Sequence, residues 1–292
     1  MALSAGAHSP HRALVKIQPE TSKMKKRNVL LHYHIFKNAG TTFERVLDEN
    51  YGDRHITFDG PFAFSNFSQD QLNTVIGRHP DAVAYSSHQI HLPAPTSLSF
   101  RPIPVVFIRH PLLRIRSIFL FDQRTAVGDP PEATTGMEGF EEWIITTLKG
   151  NQSWLQISNS QTNFLSRAYN LSPKRERKGG GAHFDLQLAI NNISLVPCLG
   201  RVEHFDIDVT SFGETLSRYG MNFSYQQRPA ENISAPDHGT PIEAQLKSLQ
   251  DGVSSDTWQK LRQLNDQDLS LYEVAHEMVE QRLKSGFPLP VV

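Results

Sequence analysis

The sequence predicts an α/β protein, three layers deep, with a central, mainly parallel sheet flanked by helices. Three observations predict it. Residues 28–35 carry an apolar, β-favouring run (Val29, Leu30, Leu31, Tyr33, Ile35) that feeds directly into a helical pattern from Thr41 to Leu47. Residues 105–108, VVFI, form an unbroken apolar run, as in a parallel strand buried on both faces, and a second helical pattern follows from Pro111. The 292 residues, ordinary in apolar content, suffice for one large α/β domain or two small ones.

The first strand–helix junction organises the chain. Between strand and helix stands Phe36-Lys37-Asn38-Ala39-Gly40, and the helix opens on Thr41 and Thr42. A tight loop before a helix N-terminus presents free N–H groups and the positive end of the helix dipole, and so suits an anion. Lys37 adds a mobile positive charge. The device is P-loop-like without being the nucleotide P-loop, which needs Gly-Lys-Ser/Thr at its end; here Lys37 precedes the loop's only Gly. At the second junction Arg109 sits at the C-terminal edge of the strand, and Arg114, Ser117 and Phe121 share a stripe of the helix by i, i+3, i+4 geometry. Ligands of open α/β sheets sit outside the carboxyl ends of the strands, so Arg109 and Ser117 should lie beside the first loop.

The remaining elements follow in order. Residues 1–27 are polar and without period, ending in Lys23, Lys25, Lys26 and Arg27; they read as a flexible tail before a single domain over 28–292. Residues 50–66 read as a connection. Ser68 and Gln71 form a capping box for a helix stopped by Pro80. A strand over 82–88 ends in His88, with His91 close behind, and 92–104 reads as irregular because of its prolines. Helices are expected over 140–148, 184–191, 205–219, 241–250 and 255–284, with a short strand over 194–200. The basic, Gly-rich run 172–181 reads as a surface loop.

A net charge of −1 builds in no field for nucleic acid or an anionic membrane, so any anion site must be local. The single Cys198 excludes an intrachain disulfide framework and suits a buried apolar position. Without a signal-peptide core or a membrane-length apolar run, the chain reads as cytoplasmic. Asn-x-Ser sequons at Asn66, Asn151, Asn170, Asn192, Asn222 and Asn232 keep a Golgi-luminal catalytic fragment as the alternative. No metal-ligand cluster is evident; His32 and His34, alternating on a strand, read as packed or hydrogen-bonded residues.

Two anion-binding junctions about seventy residues apart resemble the sulfotransferase superfamily, which transfers a sulfuryl group from 3′-phosphoadenosine 5′-phosphosulfate (PAPS). The stretch His34-Ile-Phe-Lys37-Asn-Ala-Gly40-Thr-Thr resembles its 5′-phosphosulfate loop H-I-P-K-T-A-G-T-S, with Phe36 in place of Pro and Asn38 in place of Thr. The stretch Arg109-His110-Pro111-Leu-Leu-Arg114-Ile-Arg-Ser117 resembles the 3′-phosphate motif R-D-P-x-x-R-x-x-S, with His110 in place of Asp. Three further stretches resemble the carbohydrate branch with its uronyl and chondroitin enzymes: Asn159-Ser-Gln161-Thr162, Gly200-Arg-Val-Glu203, and Asn265-Asp-Gln-Asp268 through Tyr272-Glu.

The resemblance implies PAPS as co-substrate with no metal required, and a hydroxyl-bearing acceptor, a glycan first and a small molecule second. It gives Lys37 the bridging oxygen of the leaving phosphate, the N–H groups of Asn38, Ala39, Gly40, Thr41 and Thr42 the 5′-phosphate, and Arg109 and Ser117 the 3′-phosphate. His88 aligns with the second His of the uronyl branch's Y-H-G-H and is implied as the base; Ser86 replaces the first His, and His91 and Glu203 are the reserves. The competing readings are a P-loop kinase or NTPase, which lacks its lysine order and an evident magnesium-binding Asp here, and a non-catalytic nucleotide-binding module of the same fold.

Overall fold

A computed structural model describes residues 26–61, 66–127, 137–150, 153–166, 177–178, 181–182, 184–227 and 240–286. Its strands in chain order are β1 (Arg27–Tyr33), β2 (His55–Thr57), β3 (Ala84–Ser87), β4 (Phe100–Ile108), β5 (Arg177–Lys178), β6 (Gly181–Ala182) and β7 (Cys198–Arg201). Five form one sheet in the order β2–β3–β1–β4–β7, every pair parallel; β5 and β6 make a separate antiparallel pair. The helices are α1 (Gly40–Tyr51), α2 (Gln69–Arg78), α3 (Pro111–Val127), α4 (Phe140–Lys149), α5 (Ser160–Ser166), α6 (Leu186–Ser194), α7 (Phe205–Arg218), α8 (Ile242–Asp251), α9 (Ser255–Leu264) and α10 (Asp266–Ser285). This is the three-layer α/β fold that the sequence predicts.

Alternation along β1 splits the core. Leu30 packs with Phe43 and Leu47 of α1 and with Val105, Phe107, Phe212 and Leu216 on one face. Val29, Leu31 and Tyr33 pack with Leu72 and Ile76 of α2, Ile193 of α6 and Leu271 and Ala275 of α10 on the other. A third cluster joins α3, α4, α8 and α9 through Leu112, Phe119, Phe140, Leu249 and Leu261. The chain leaves β1 to build β2 and β3 on one side of it, then crosses to β4 on the other. The carboxyl ends of β1 and β4 are therefore neighbours at the switch of strand order, where open α/β sheets place their ligands.

Four expectations need correction. Strand β1 starts at Arg27, whose guanidinium donates to the Ile76 carbonyl (2.8 Å), so this residue of the basic cluster is structural. The connection 50–66 contains β2, whose Ile56 pairs with Tyr85. Strand β4 begins at Phe100 and runs through Pro102 and Pro104, inside the segment read as irregular. It pairs with β7 only from Val105 onwards, so its first half has an open edge, where prolines are tolerated. Finally, the expected helix over 255–284 is two, divided at Asn265. The Asn265 amide donates to the carbonyls of Ile157 and Leu261 (2.9 Å each), and its Oδ1 accepts from the Asn159 N–H (3.3 Å). The capping box holds as read: Ser68 Oγ accepts from Gln71 N, and the Gln71 side chain accepts from Ser68 N. Residues 1–25 of the tail and most of the loop 172–181 lie outside the described residues.

The break at Asn265 creates a new helix N-terminus, and α5 and α10 cap one another. Asn159 Oδ1 accepts from the N–H groups of Gln267 and Asp268 (3.1 Å each), while the Asp268 carboxylate accepts from Gln161 N (3.0 Å), Thr162 N (2.7 Å) and Thr162 Oγ1 (2.7 Å). Asn159 adopts a left-handed backbone, φ 46°, which Asn tolerates better than most residues. Asn159→Ala loses the cap, about 1 kcal/mol, and forces Ala into that conformation, about another 1 kcal/mol. Asn159→Gly is relieved of the second cost. Urea unfolding should therefore rank wild type above Asn159→Gly above Asn159→Ala; equal midpoints for the two variants would refute the backbone part.

Candidate active site

The two junctions meet. Arg109 Nη1 donates to the Lys37 carbonyl at 3.0 Å, although the residues are 72 positions apart. Arg114, buried on α3, donates from Nε to the Phe36 carbonyl (2.9 Å) and from Nη1 to the Gln156 carbonyl (2.8 Å). The first loop is shaped by these bonds, because Lys37 and Ala39 both adopt left-handed backbone, φ 64° and 58°. Neither is Gly or Asn, so tertiary contacts must hold them there.

Helix α1 opens on Ala39 with no side-chain cap. The N–H groups of Ala39, Gly40, Thr41 and Thr42 meet no acceptor among the described residues, while Phe43 N returns to Ala39 O. Four open donors at the positive end of a helix form a seat for an anion. Asn38 plays another part. Its N–H donates to Ile35 O (3.1 Å), and its buried amide donates to Phe107 O and to Gln161 Oε1 (2.7 Å each). It is a girder under the loop, a role that its place among the anion-facing N–H groups did not foretell. Ser117 lies half-buried on α3 with no hydrogen bond to its hydroxyl among the described residues.

The Lys37 ammonium rests 4.7 Å from the Phe121 ring centroid and 5.9 Å from that of Phe36. Burial, joined by the positive charges of Arg109, Arg124 and Arg114, lowers its pKa to about 8, with Asp122 opposing. A half-buried lysine beside three arginines is an environment that a bound anion would relieve.

His88 extends from the end of β3 and is exposed. Its Nδ1 is 2.8 Å from the His34 carbonyl, which can only accept, so Nδ1 carries the proton and Nε2 the free lone pair. Its ring lies on that of His34, centroids 3.8 Å apart. Although the residue keeps an exposed edge, desolvation of the ring packed on His34, then the charge of His34, lowers its pKa below the usual value, with Asp59 and Glu44 opposing. Asp59 Oδ1 accepts from His88 N (3.0 Å) and Ser87 Oγ (2.8 Å). Gly40 serves this stack rather than a turn: a Cβ there would lie 1.9 Å from the His34 ring.

The reserves stand elsewhere. His91 is buried, its Nε2 2.7 Å from Asn66 Oδ1. Glu203 accepts from His110 N (2.9 Å) and Tyr272 OH (3.3 Å) and so braces the second loop. His110 packs edge-on to Tyr272, and burial with Arg109 lowers its pKa to about 4. Among the described residues, donor atoms of His32, His34 and Glu44 lie within 4.8 Å of one another. The two imidazoles stack at 5.3 Å and 23°, and His34 Nδ1 is 2.8 Å from Glu44 Oε1. Stacked rings send their lone pairs side by side, whereas zinc needs them to converge at about 2.0–2.1 Å. The group reads as a hydrogen-bonded stack. Cys198 is buried, and burial pushes its thiol pKa well up, as suits an inert packing residue.

Sequence reasoning missed the parts played by Gln161, Asp268 and His34. The first two were visible only as members of family-like stretches. No described helix is long and apolar enough to cross a membrane. The chain is 27% identical, over 265 residues, to an uncharacterised protein of Archaeoglobus fulgidus, covering 87% of this chain and 98% of that one. Residues 20–274 match the family model described as "Sulfotransferase family". That span includes both strand–helix junctions and the Gln161 and Asp268 side chains that brace them, and the chain belongs to the sulfotransferase family.

Proposed function

We propose that the protein transfers a sulfuryl group from PAPS to a hydroxyl of a carbohydrate, with His88 as general base. The observation that carries the reading is the Arg109–Lys37 contact, which brings two cationic junctions close enough to serve one doubly phosphorylated nucleotide. The open N–H groups of Ala39–Thr42 and the lowered Lys37 pKa fit such an anion.

Roles follow from the chemistry. The N–H groups at the start of α1 cradle the 5′-phosphate; Arg109 and Ser117 hold the 3′-phosphate. Lys37 neutralises charge on the phosphate oxygen as its bond to sulfur breaks. Nε2 of His88 takes the acceptor's hydroxyl proton as the new O–S bond forms. PAPS supplies an already activated sulfuryl group, so positioning and charge neutralisation are the work left to the protein. Asp59 and Glu44 favour the imidazolium that results and offset part of what burial and His34 do against it.

Transfer of radiolabelled sulfate from PAPS to a panel of glycans, lipids and small alcohols tests the reading. Adenosine 3′,5′-bisphosphate at a hundredfold excess over its Kd should stabilise the fold by about 2.7 kcal/mol. An unchanged Tm at saturating nucleotide would count decisively against it.

The pH profile has a worked sign. His88 must be neutral, so kcat/KM rises through a pKa below the usual histidine value. Lys37 must be charged, so nucleotide affinity declines above about pH 8, where the free protein loses that proton. Lys37→Arg should abolish the alkaline decline in affinity. His88→Ala should cost roughly 10²–10⁴ in kcat and leave nucleotide affinity within about threefold of wild type. A His88→Ala enzyme of full activity would remove the base assignment.

Gly40→Ala separates the stack from the fold. The added methyl must displace the His34 ring and with it the support of His88. The expected result is a kcat loss of at least about tenfold, because small misplacements of a catalytic group are costly. Unchanged kcat would show that the His34 stack does not position the base.

A further inference from the structure

Gln161 is fully buried, 52 residues beyond Arg109 in sequence, on a helix that supplies no other part of the two loops. Its carboxamide touches both. Oε1 accepts from Asn38 Nδ2 (2.7 Å) in the first loop and from Arg109 N (2.9 Å) in the second; Nε2 donates to the Arg109 carbonyl (2.8 Å). The pair of bonds to Arg109 is the pattern a neighbouring strand residue would make, continued one position beyond the end of β4 at Ile108. The arrangement requires an acceptor for two donors and a donor for one carbonyl in a single planar group, which among side chains suits a carboxamide. Gln161 is itself fixed from behind: its N–H donates to Asp268 (3.0 Å), whose other oxygen holds Thr162, and Asp268 sits in the first turn of α10.

We infer that Gln161 is the positioning residue that sets the spacing between the two phosphate-binding loops, so that both ends of a 3′,5′-bisphosphorylated nucleotide bind as one bidentate ligand. The inference rests on the reading of the site given above. Each loop on its own keeps its local anion donors: the N–H groups of Ala39–Thr42 belong to α1, and Ser117 belongs to α3. The carboxamide contributes their separation. Two binding contacts reinforce one another only when the scaffold holds them at the ligand's own span, and the gain is lost when the geometry loosens.

The consequence is specific. Removing the bridge should weaken the bisphosphate and spare each monophosphate. Calorimetric titration of adenosine 3′,5′-bisphosphate, adenosine 5′-monophosphate and adenosine 3′-monophosphate, on wild type, Gln161→Met and Gln161→Ala, measures this. The expected result is that the preference for bisphosphate over either monophosphate falls by about tenfold to a hundredfold, the scale of lost buried hydrogen bonds. Monophosphate affinities should stay within about threefold of wild type. If bisphosphate and monophosphates weaken together, or nothing changes, Gln161 is a packing residue and the inference is overturned. If wild type itself shows no preference for the bisphosphate, the reading of the site fails, and that outcome is seen without any variant. Should both Gln161 variants fail to fold, Asn38→Ala cuts the bridge from the other side while leaving the Arg109 pair intact, and the same fall in preference is expected.

Discussion

The structure depends on holding the backbone of Lys37 and Ala39 in a conformation that neither residue favours. A left-handed backbone costs an ordinary side chain about 1–2 kcal/mol, and two such residues flank Asn38. The cost is offset by hydrogen bonds that arrive from distant parts of the chain: Arg109 on Lys37 O, Arg114 on Phe36 O, and the Asn38 amide on Phe107 O and Gln161. Arg109 and Arg114 lie beyond β4, and the Asn38 amide reaches out to β4 and α5. The loop is therefore correct only when β1 and β4 are neighbours and α3 is docked. The geometry of the loop and the topology of the sheet are thus one event, not two.

The same bonds shape the electrostatics. Arg109, Arg114, Arg124 and Lys37 gather in a protein of net charge −1. Arg114 is spent on carbonyls and buried, with burial lowering its pKa to about 10 and the carboxylate of Asp268 opposing. Lys37 lies against Phe121 and Phe36, an apolar resting place for an ammonium whose positive neighbours repel it. On the function proposed above, that unfavourable charge is what an anionic ligand would relieve, a form of preorganisation.

Both junctions were legible because their chemistry is local. A strand, a loop with a lysine and a helix start lie within twenty residues, and Arg109, Pro111 and Ser117 within ten. What supports them was not, because the partners are remote: Gln161 reaches Arg109 across 52 positions, and Asp268 reaches Gln161 across 107. The role of Gly40 depends on a ring six residues earlier that only the folded strand brings over it. The break at Asn265 was hidden because apolar spacing continues through it, from Leu261 and Leu264 to Leu271 and Ala275. Periodicity reports which face is buried and says nothing of an Asn whose amide captures a carbonyl of another segment. The prolines of β4 misled for a related reason, since a proline forbids a ladder bond only where a neighbour is present to receive it.

Departures from the family wording become intelligible in the same terms. Asn38, standing where Thr is usual, can donate twice from one amide and so reaches both Phe107 O and Gln161. Ser86, standing where the uronyl branch has His, joins His32 Nδ1 (3.0 Å) and His55 Nε2 (2.9 Å), and His55 in turn meets Asp48 (2.6 Å). Strand β2 thus returns an imidazole to the neighbourhood from which the substitution removed one. On the acceptor side of the proposed reaction, His34 opposes charge on His88 while the carboxylates of Asp59 and Glu44 favour it; on the donor side, the charges bearing on Lys37 are mostly arginines. The donor-side field assists the transfer as negative charge grows on the departing phosphate, and the two carboxylates offset part of the His34 repulsion as positive charge grows on the imidazole. The carboxylates also weigh against an acceptor that brings its own negative charge to His88. The uronyl-type resemblance of the motifs and the charge at this end of the site point to different acceptors, and charge acts on the acceptor directly, whereas a motif reports only shared ancestry.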